Sequence, residues 1–335
     1  MIESSLPQSE PVLLPGRPFG RQVRSVVGYS LLMALMIVTP MLVFVPAALL
    51  HCAARNGRRA AWAVLVLSMV FASLYAVAVP ESTPDAQKIA WSFLAAVALA
   101  VMLPAMAAIP LVERGESFGR VLLFLLAGAL LGLAVTEVAS RMLISFSPYA
   151  AQVAQTKEVW RLVAQLYREN KMPADLIRLA ERAGPVAAYL FAAQLLASLT
   201  VVFTLSLMMF GRLRAWQNEP ARPYLFRNLA LPDWLLFAFV FGGIAPLATG
   251  LLQKLAANVL GVVAFLYLLQ GLAVFRSMLL SIGAGVLGTV FGWTLLAITM
   301  PFSMLFVAVA GLFDSFFDFR HFKKRKDDSH ESHSD

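Results

Sequence analysis

Long stretches without a charged residue recur along this chain and limit what it can fold into. Each is at least as long as the roughly 20 residues that a helix needs to cross a ~30 Å hydrocarbon core. Because lipid leaves no backbone polar group solvated, and the alternation of a membrane barrel is missing, these stretches predict helices. They cover residues 25–54, 60–80, 89–112, 183–211, 234–253, 255–275 and 277–313.

An eighth apolar stretch, 121–145, carries only Glu137 and Arg141. With 60% hydrophobic and 14% charged residues, the whole chain is expected to be an all-α, polytopic integral membrane helical bundle.

Two of the stretches are too long for one crossing. At ~1.5 Å per residue, helices over 25–54 and 277–313 would measure about 45 and 55 Å. Pro40 and Pro301 lie inside them, and a proline kinks or ends a helix. We therefore expect a full helix, a break and a shorter returning helix in each stretch, which raises the total to as many as ten helical segments.

Basic residues fall mainly in the loops between apolar runs, as cytoplasmic loops of membrane proteins require. With the segment 146–184 and its flank left out, the short loops divide 18 to 2 for ten segments and 10 to 10 for eight. This favours ten segments, in a multi-pass protein of the cell (inner) membrane with both termini cytoplasmic. It also accounts for the net charge of +8, so nucleic acid is not an expected partner.

The domain organisation follows from the same pattern. Residues 1–24 are expected to be a disordered cytoplasmic tail, 25–320 a single membrane domain, and 321–335 a disordered tail. Within the domain, 146–184 is expected to be an extramembrane amphipathic helical segment, because Val159, Leu162 and Leu166 recur at helical spacing. This segment could lie on the membrane surface or cover a cavity mouth, and the surface position is favoured.

Neutral polar residues inside the spans are candidates for ligand binding or for pairing between helices. Tyr267 and Gln270 share roughly one helical face, while Asn258 lies on another and Gln194 belongs to an earlier stretch. If these side chains turn into one cavity, a ligand site is favoured, and if they bond to neighbouring helices, a structural role is favoured.

Ionisable residues are few. Glu137 and Arg141 are four apart, a helical pairing distance, and are candidates for an ion pair or for proton coupling. Asp314, Asp318 and Arg320 form a candidate interfacial motif that would anchor the end of the last helix. No histidine lies deep in a span, so we expect no metal, no cofactor and no enzymatic activity.

Small residues spaced four apart predict close helix packing. The clearest pairs are Gly128 with Gly132 and Gly288 with Gly292.

Several motifs together resemble the YybS-like bacterial membrane proteins, over about residues 25–320. They are Leu231-Pro232-Asp233-Trp234, the helix with Asn258, the run from Leu266 to Val274, Pro301, and the ending from Gly311 to Arg320. The most specific parts are the Gln-Gly-Leu-Ala run that begins at Gln270 and the Gly-Leu-Phe-Asp ending that begins at Gly311.

The shared domain of that family has no assigned function. Its architecture is similar to that of the substrate-binding S-components of energy-coupling-factor transporters, which capture vitamins or metal ions. The resemblance thus implies a separate coupling or ATPase subunit as a partner, besides the lipid bilayer.

Two functions remain open. The first is binding or transport of a small neutral or amphipathic molecule, without an ATPase of its own. The second is a non-transporting membrane scaffold or regulator that binds partners or anionic lipid through its basic cytoplasmic loops.

Overall fold

We describe the fold from a computed structural model, which covers residues 19–78, 83–216, 224–244, 247 and 249–317. The described residues form helices and no strand, so the all-α prediction is confirmed. The α-helices are α1 (Phe19–Val38), α2 (Val45–Asn56), α3 (Arg58–Ala78), α4 (Pro84–Ala96), α5 (Leu103–Glu113), α6 (Phe118–Ile144), α7 (Pro148–Glu169), α8 (Ala174–Tyr189), α9 (Phe191–Trp216), α10 (Leu235–Ile244), α11 (Leu251–Ser281), α12 (Val286–Ile298) and α13 (Met300–Phe317). A π-helical segment, Val97–Met102, joins α4 to α5.

The protein has fewer long spans than the sequence predicted. Among the described residues, five helices are long and apolar enough to cross a membrane, and the bent pair α12 and α13 raises this to six at most. The five are Arg58–Ala78, Ala86–Glu113, Phe118–Ile144, Phe191–Arg214 and Leu251–Ser281. The polytopic helical bundle is confirmed, and the number of candidate spans is lower than the ten helical segments that the sequence suggested.

The break at Pro40 is confirmed. Helix α1 ends at Val38, and Thr39 caps a short 3-10 turn that starts at Pro40. Helix α2 then runs back along α1, since Asn56 Nδ2 donates to Ser25 Oγ at 3.1 Å. Its twelve residues make a rod of about 18 Å, which is too short to cross the hydrocarbon core. Helices α1 and α2 thus form a hairpin that returns to the side it came from.

The break near Pro301 is also confirmed. The axes of α12 and α13 differ by 114°. Pro301 lies in the first turn of α13, where its missing N–H would have no helical acceptor in any case.

Lys254 and Arg276 separate the charge-free stretches 234–253, 255–275 and 277–313, but neither residue ends a helix. Helix α11 runs through both without interruption and ends before Gly283, whose φ is 68°. The stretch 234–253 supplies only the ten residues of α10 and the start of α11. A single charged residue does not end a helix, because a long Lys or Arg side chain can extend along the helix to reach water. Charge-free runs therefore located the helices well and their ends poorly.

Ends of six helices gather at one end of the bundle, which we call the arginine end. The Asn56–Ser25 bond joins the end of α2 to the start of α1, and the ion pair of Arg58 with Glu113 joins the start of α3 to the end of α5. Tyr224 lies beside Glu116, just before α6, and near Arg214 in the last turn of α9. The described arginines on these elements are Arg24, Arg55, Arg58, Arg59, Arg114, Arg120, Arg212, Arg214 and Arg227.

The predicted close packing holds strongly for one glycine pair. A Cβ added at Gly132 would lie 2.1 Å from the carbonyl oxygen of Leu99, and one at Gly128 would lie 3.0 Å from Pro104. Helix α6 therefore packs almost backbone to backbone against the π-helical segment and α5. The second pair is looser, since Gly288 meets only its own helix and Gly292 would meet a Leu279 side chain at 3.2 Å.

Candidate functional site

Gln270 lies at the centre of a buried polar junction. Its side chain is 1% exposed. Its Oε1 accepts a hydrogen bond from the Leu231 backbone N–H at 3.0 Å, and its Nε2 donates to Asp314 Oδ2 at 3.2 Å and to Ser315 Oγ at 3.3 Å. One amide thus ties together the segment before α10, helix α11 and helix α13.

Two glycines allow this junction to close. A Cβ at Gly271 would lie 1.8 Å from the Val307 carbonyl oxygen, and one at Gly311 would lie 2.0 Å from the Tyr267 carbonyl oxygen. No real Cβ fits at such distances, so α11 and α13 touch through their backbones. The two contacts run in opposite sequence directions, which makes the helices antiparallel. The close approach brings Asp314 within reach of the Gln270 amide.

Tyr267 lies next to this junction. Its side chain is 1% exposed, and its ring packs edge-on against Phe239 with the centroids 5.8 Å apart. The hydroxyl has no hydrogen-bond partner among the described residues. The carboxylate of Asp233 is near enough to interact with it electrostatically.

Asp314 is buried in the junction, at 7% exposure. The sequence predicted an interfacial anchor for it, whereas the side chain turns inward to Gln270. Asp318 and Arg320, the other members of that motif, lie outside the described residues, as do the tails before residue 19 and after residue 317.

Asn258 belongs to a separate set of contacts. Its Oδ1 accepts from the Ala193 backbone N–H at 2.9 Å, and its Nδ2 donates to the carbonyl oxygens of Tyr189 at 3.1 Å and Lys254 at 2.8 Å. Two of these bonds, to Ala193 and Tyr189, are made to backbone groups at the break between α8 and α9. The Gln194 side chain serves the same break through a long 3.4 Å bond to the Ala187 carbonyl oxygen.

Glu137 and Arg141 pair as their spacing predicts, with Arg141 Nε 2.6 Å from Glu137 Oε1. The Glu137 carboxylate also accepts from Ser147 Oγ at 2.5 Å and from the Tyr149 backbone N–H at 3.0 Å. Ser147 is the N-cap of α7, and Tyr149 is in its first turn. Glu137 thus binds the N-terminus of another helix, where the backbone N–H groups and the helix dipole favour a negative charge.

Sequence reasoning missed two contributors. Ser206 on α9 donates to the Val43 carbonyl oxygen at 2.7 Å and holds the tip of the α1–α2 hairpin. Ser315 completes the Gln270 junction. Nothing in the sequence separates them from other helical serines, which mostly bond to the preceding turn of their own helix.

An apolar crevice of about 500 Å³ opens between α3 and α4. Met69, Val77 and Trp91 are among the residues that line it, and Ser73 is its polar contributor. None of the polar candidates reaches it, so this crevice does not combine with the Gln270 junction into one site.

Comparison with known proteins gives a family and no closer relative. No curated protein and no solved structure shows significant similarity to the chain. A family described as predicted membrane protein (DUF2232) matches residues 27–315, close to the extent of the resemblance noted above. The matched region contains Asn258, Gln270 and Asp314. The chain belongs to the DUF2232 family of predicted membrane proteins.

Proposed function

We propose that this protein is a non-transporting membrane scaffold or regulator that binds anionic groups at its arginine end. The proposal rests on which groups the polar side chains of the apolar helices form hydrogen bonds with. Gln270, Asn258 and Glu137 bond to protein groups of neighbouring elements. A transport site would instead turn such groups toward one shared cavity.

The arginine end supplies the binding chemistry. Arg58 pairs with Glu113, and Arg120 pairs with Glu116. Five further arginines there are exposed and form no ion pair among the described residues: Arg24, Arg55, Arg59, Arg114 and Arg212. Guanidinium groups bind phosphate and carboxylate through paired hydrogen bonds, so an anionic lipid headgroup or an acidic protein surface suits this end.

The membrane orientation supports the same proposal. Basic loops remain on the cytoplasmic side of bacterial membranes, so we place the arginine end in the cytoplasm and the protein in the inner membrane. Anionic lipid is then within reach, and each arginine near such a surface contributes on the order of 1 kcal/mol.

The test compares two quadruple variants of the full chain in liposomes. One carries glutamine at Arg24, Arg55, Arg59 and Arg114. We expect its preference for spin-labelled phosphatidylglycerol over phosphatidylcholine to fall at least several-fold, because each lost contact contributes on the order of 1 kcal/mol.

The matched control removes four charges at the opposite end of the bundle, with glutamine at Lys157, Arg161, Lys171 and Arg178. Its lipid preference should fall much less than that of the first variant, because Arg161 and Arg178 are already paired with Glu158 and Asp175. An equal loss in both variants would show that net charge, and not the arginine end, sets the preference.

A second function, substrate binding in the manner of an S-component, is favoured by one observation. The Tyr267 hydroxyl is buried without a hydrogen-bond partner among the described residues, and a ligand atom could satisfy it. A separate coupling or ATPase subunit would then be needed. A ligand that binds only the folded state raises its melting temperature, so a thermal-shift screen against vitamins, lipids and metal ions tests this function. A compound that stabilises the unchanged protein and not Tyr267→Phe would displace the scaffold proposal.

A further inference from the structure

Helices α7 and α8 form an antiparallel hairpin with its own packing face. They are joined by a turn in which Lys171 adopts a φ of 50°. Ala164 and Ala180 are buried between them, and a Cβ at Gly184 would lie 3.1 Å from the Cβ of Trp160. Small residues on α8 thus let the two helices pack closely.

Each helix of the hairpin also presents an exposed apolar stripe. At 3.6 residues per turn, each stripe is rotated by about 110° from the packing face of its helix, in the same sense. In an antiparallel pair, equal rotations in the same sense bring the two stripes to one side. This side, which we call the apolar face, consists of Val159, Leu162, Leu166, Leu176, Leu179 and Val186.

The opposite side of the hairpin is charged and internally paired. Arg161 binds Glu158 at 2.6 Å on α7, and Arg178 binds Asp175 at 2.7 Å on α8. Arg168 and Glu181 form an ion pair between the two helices. The hairpin is therefore apolar on one side and charged on the other, as a structure lying at a membrane surface requires.

Glu137 holds the start of α7, which we call the first base of the hairpin, below the end of α6. It lies seven residues, or about 10 Å, before Ile144, the last residue of that helix. Its bonds to Ser147 and to the Tyr149 N–H draw the start of α7 back to this level.

Asn258 does the same for the junction of α8 with α9, which we call the second base of the hairpin. It lies seven residues, or about 10 Å, after Leu251, where α11 begins. Its bonds to Tyr189 and Ala193 hold the junction of α8 with α9 at that depth, and Leu190 alone separates these two helices.

We infer that the α7–α8 hairpin lies on the bilayer surface with its apolar face in the headgroup and upper acyl layer, held there by Glu137 and Asn258. The bilayer is the occupant that the geometry favours, because both bases are set below the ends of spanning helices. Met142 and Leu143, in the last turn of α6 just before the hairpin, are 81% and 82% exposed, so exposed apolar side chains occur on this spanning helix as well. This inference stands apart from the proposed function, which concerns the other end of the bundle.

The experiment measures the depth of single labels in the full chain reconstituted in phosphatidylglycerol–phosphatidylcholine liposomes. Cys52 is the only cysteine, so Cys52→Ser gives a clean background. Leu162→Cys and Leu179→Cys place a fluorophore on the apolar face, and Arg161→Cys and Arg178→Cys place it on the charged side, one residue away in each case. We expect nitroxide-labelled acyl chains to quench the apolar-face labels at least threefold more than the charged-side labels, with the reverse order for aqueous iodide.

Two results would overturn the inference. Equal quenching of both sides by iodide would mean that the hairpin projects into water. Energy transfer between labels on Leu162→Cys, rising with protein density and accompanied by weak lipid quenching, would mean that a second copy covers the apolar face.

The positioning roles need their own readout. Adding Glu137→Ala or Asn258→Ala to the Leu162→Cys protein should reduce lipid quenching at least twofold, whereas Gln194→Ala should leave it unchanged. If either alanine variant fails to fold, the milder Glu137→Gln and Asn258→Ser replace it. Unchanged quenching in folded variants would show that the hairpin keeps its depth without these two side chains.

Discussion

Gln270 Nε2 lies 3.2 Å from Asp314 Oδ2, and this contact joins the two motifs that carry the family resemblance most specifically. The residues are 44 positions apart in the sequence. The Leu231-Pro232-Asp233-Trp234 motif meets them at the same point, since the Leu231 N–H donates to Gln270. Three motifs that are separate in the sequence thus meet at one packing junction of this chain.

Gln270→Leu should destabilise the protein by about 2–4 kcal/mol. The substitution leaves the buried Leu231 N–H without its acceptor, which costs about 1–3 kcal/mol, and removes the hydrogen bond to Asp314, which costs about 1 kcal/mol more. Thermal or denaturant unfolding in detergent measures the loss. Gln194→Leu is the matched control, because Gln194 is exposed and makes only a 3.4 Å bond. Equal stability of the two variants would mean that the junction is not a source of stability.

Gly311→Ala should separate α11 from α13 and lower the melting temperature sharply. The added Cβ would lie 2.0 Å from the Tyr267 carbonyl oxygen, so the backbones must move apart and the Gln270 bonds are lost with them. Gly243→Ala in α10 is the control, since nothing lies within 4 Å of its added Cβ. That control should be neutral or stabilising by up to about 1 kcal/mol, because alanine favours helix. A folded Gly311→Ala protein with an unchanged melting temperature would contradict the backbone contact.

Ser206→Ala should loosen the tip of the α1–α2 hairpin at a cost of about 1 kcal/mol. The hydroxyl crosses from α9 to the Val43 carbonyl oxygen, over 163 sequence positions. Ser198→Ala is the control on the same helix, because Ser198 bonds only within its own helix, to Gln194. Hydrogen exchange of the backbone around Val43 should rise in the first variant and stay constant in the second. Equal exchange in both would show that other contacts hold the tip.

Tyr224 should ionise far above the ordinary range of a tyrosine. Burial raises the pKa of Tyr224 to about 12, the charge of Glu116 adds to this, and Arg214 opposes it. A raised pKa means that the fold favours the neutral phenol, so the stabilisation is complete below pH 10 and is lost between about pH 10 and 12. Tyr224→Phe should remove the part of the 295 nm absorbance that appears near pH 12. If Tyr224→Phe instead removes absorbance that appears near pH 10, Tyr224 ionises as an ordinary tyrosine does.

Arg59 and Lys171 should lie on opposite sides of the membrane. In the Cys52→Ser background, an impermeant maleimide added to intact cells should label Lys171→Cys, and should label Arg59→Cys only after the inner membrane is opened. Labelling of Arg59→Cys from outside would reverse the proposed orientation and remove the support it lends to a cytoplasmic arginine end.

The helices could be located from the sequence because each depends on a local property. Apolar runs of sufficient length predict membrane helices, and Pro40 and Pro301 mark breaks because proline disrupts helical hydrogen bonding wherever it falls. Lys254 and Arg276 misled the same reasoning. Whether a charge within a helix is tolerated depends on where its side chain can reach, and that is decided by the surrounding helices.

For the candidate site, the sequence alone identified which residues are polar within an apolar chain and which glycines permit close packing. It determined an all-α membrane bundle and the residue types of its interior. Only the tertiary structure decided that Gln270 meets Asp314, that Asn258 meets the α8–α9 junction, and that Glu137 meets the start of α7. Each of these is a bond between groups on different elements, formed because burial in a low-dielectric interior penalises an unpaired polar group. The residue type establishes that a partner is needed, and the packing of the helices establishes which partner is within reach.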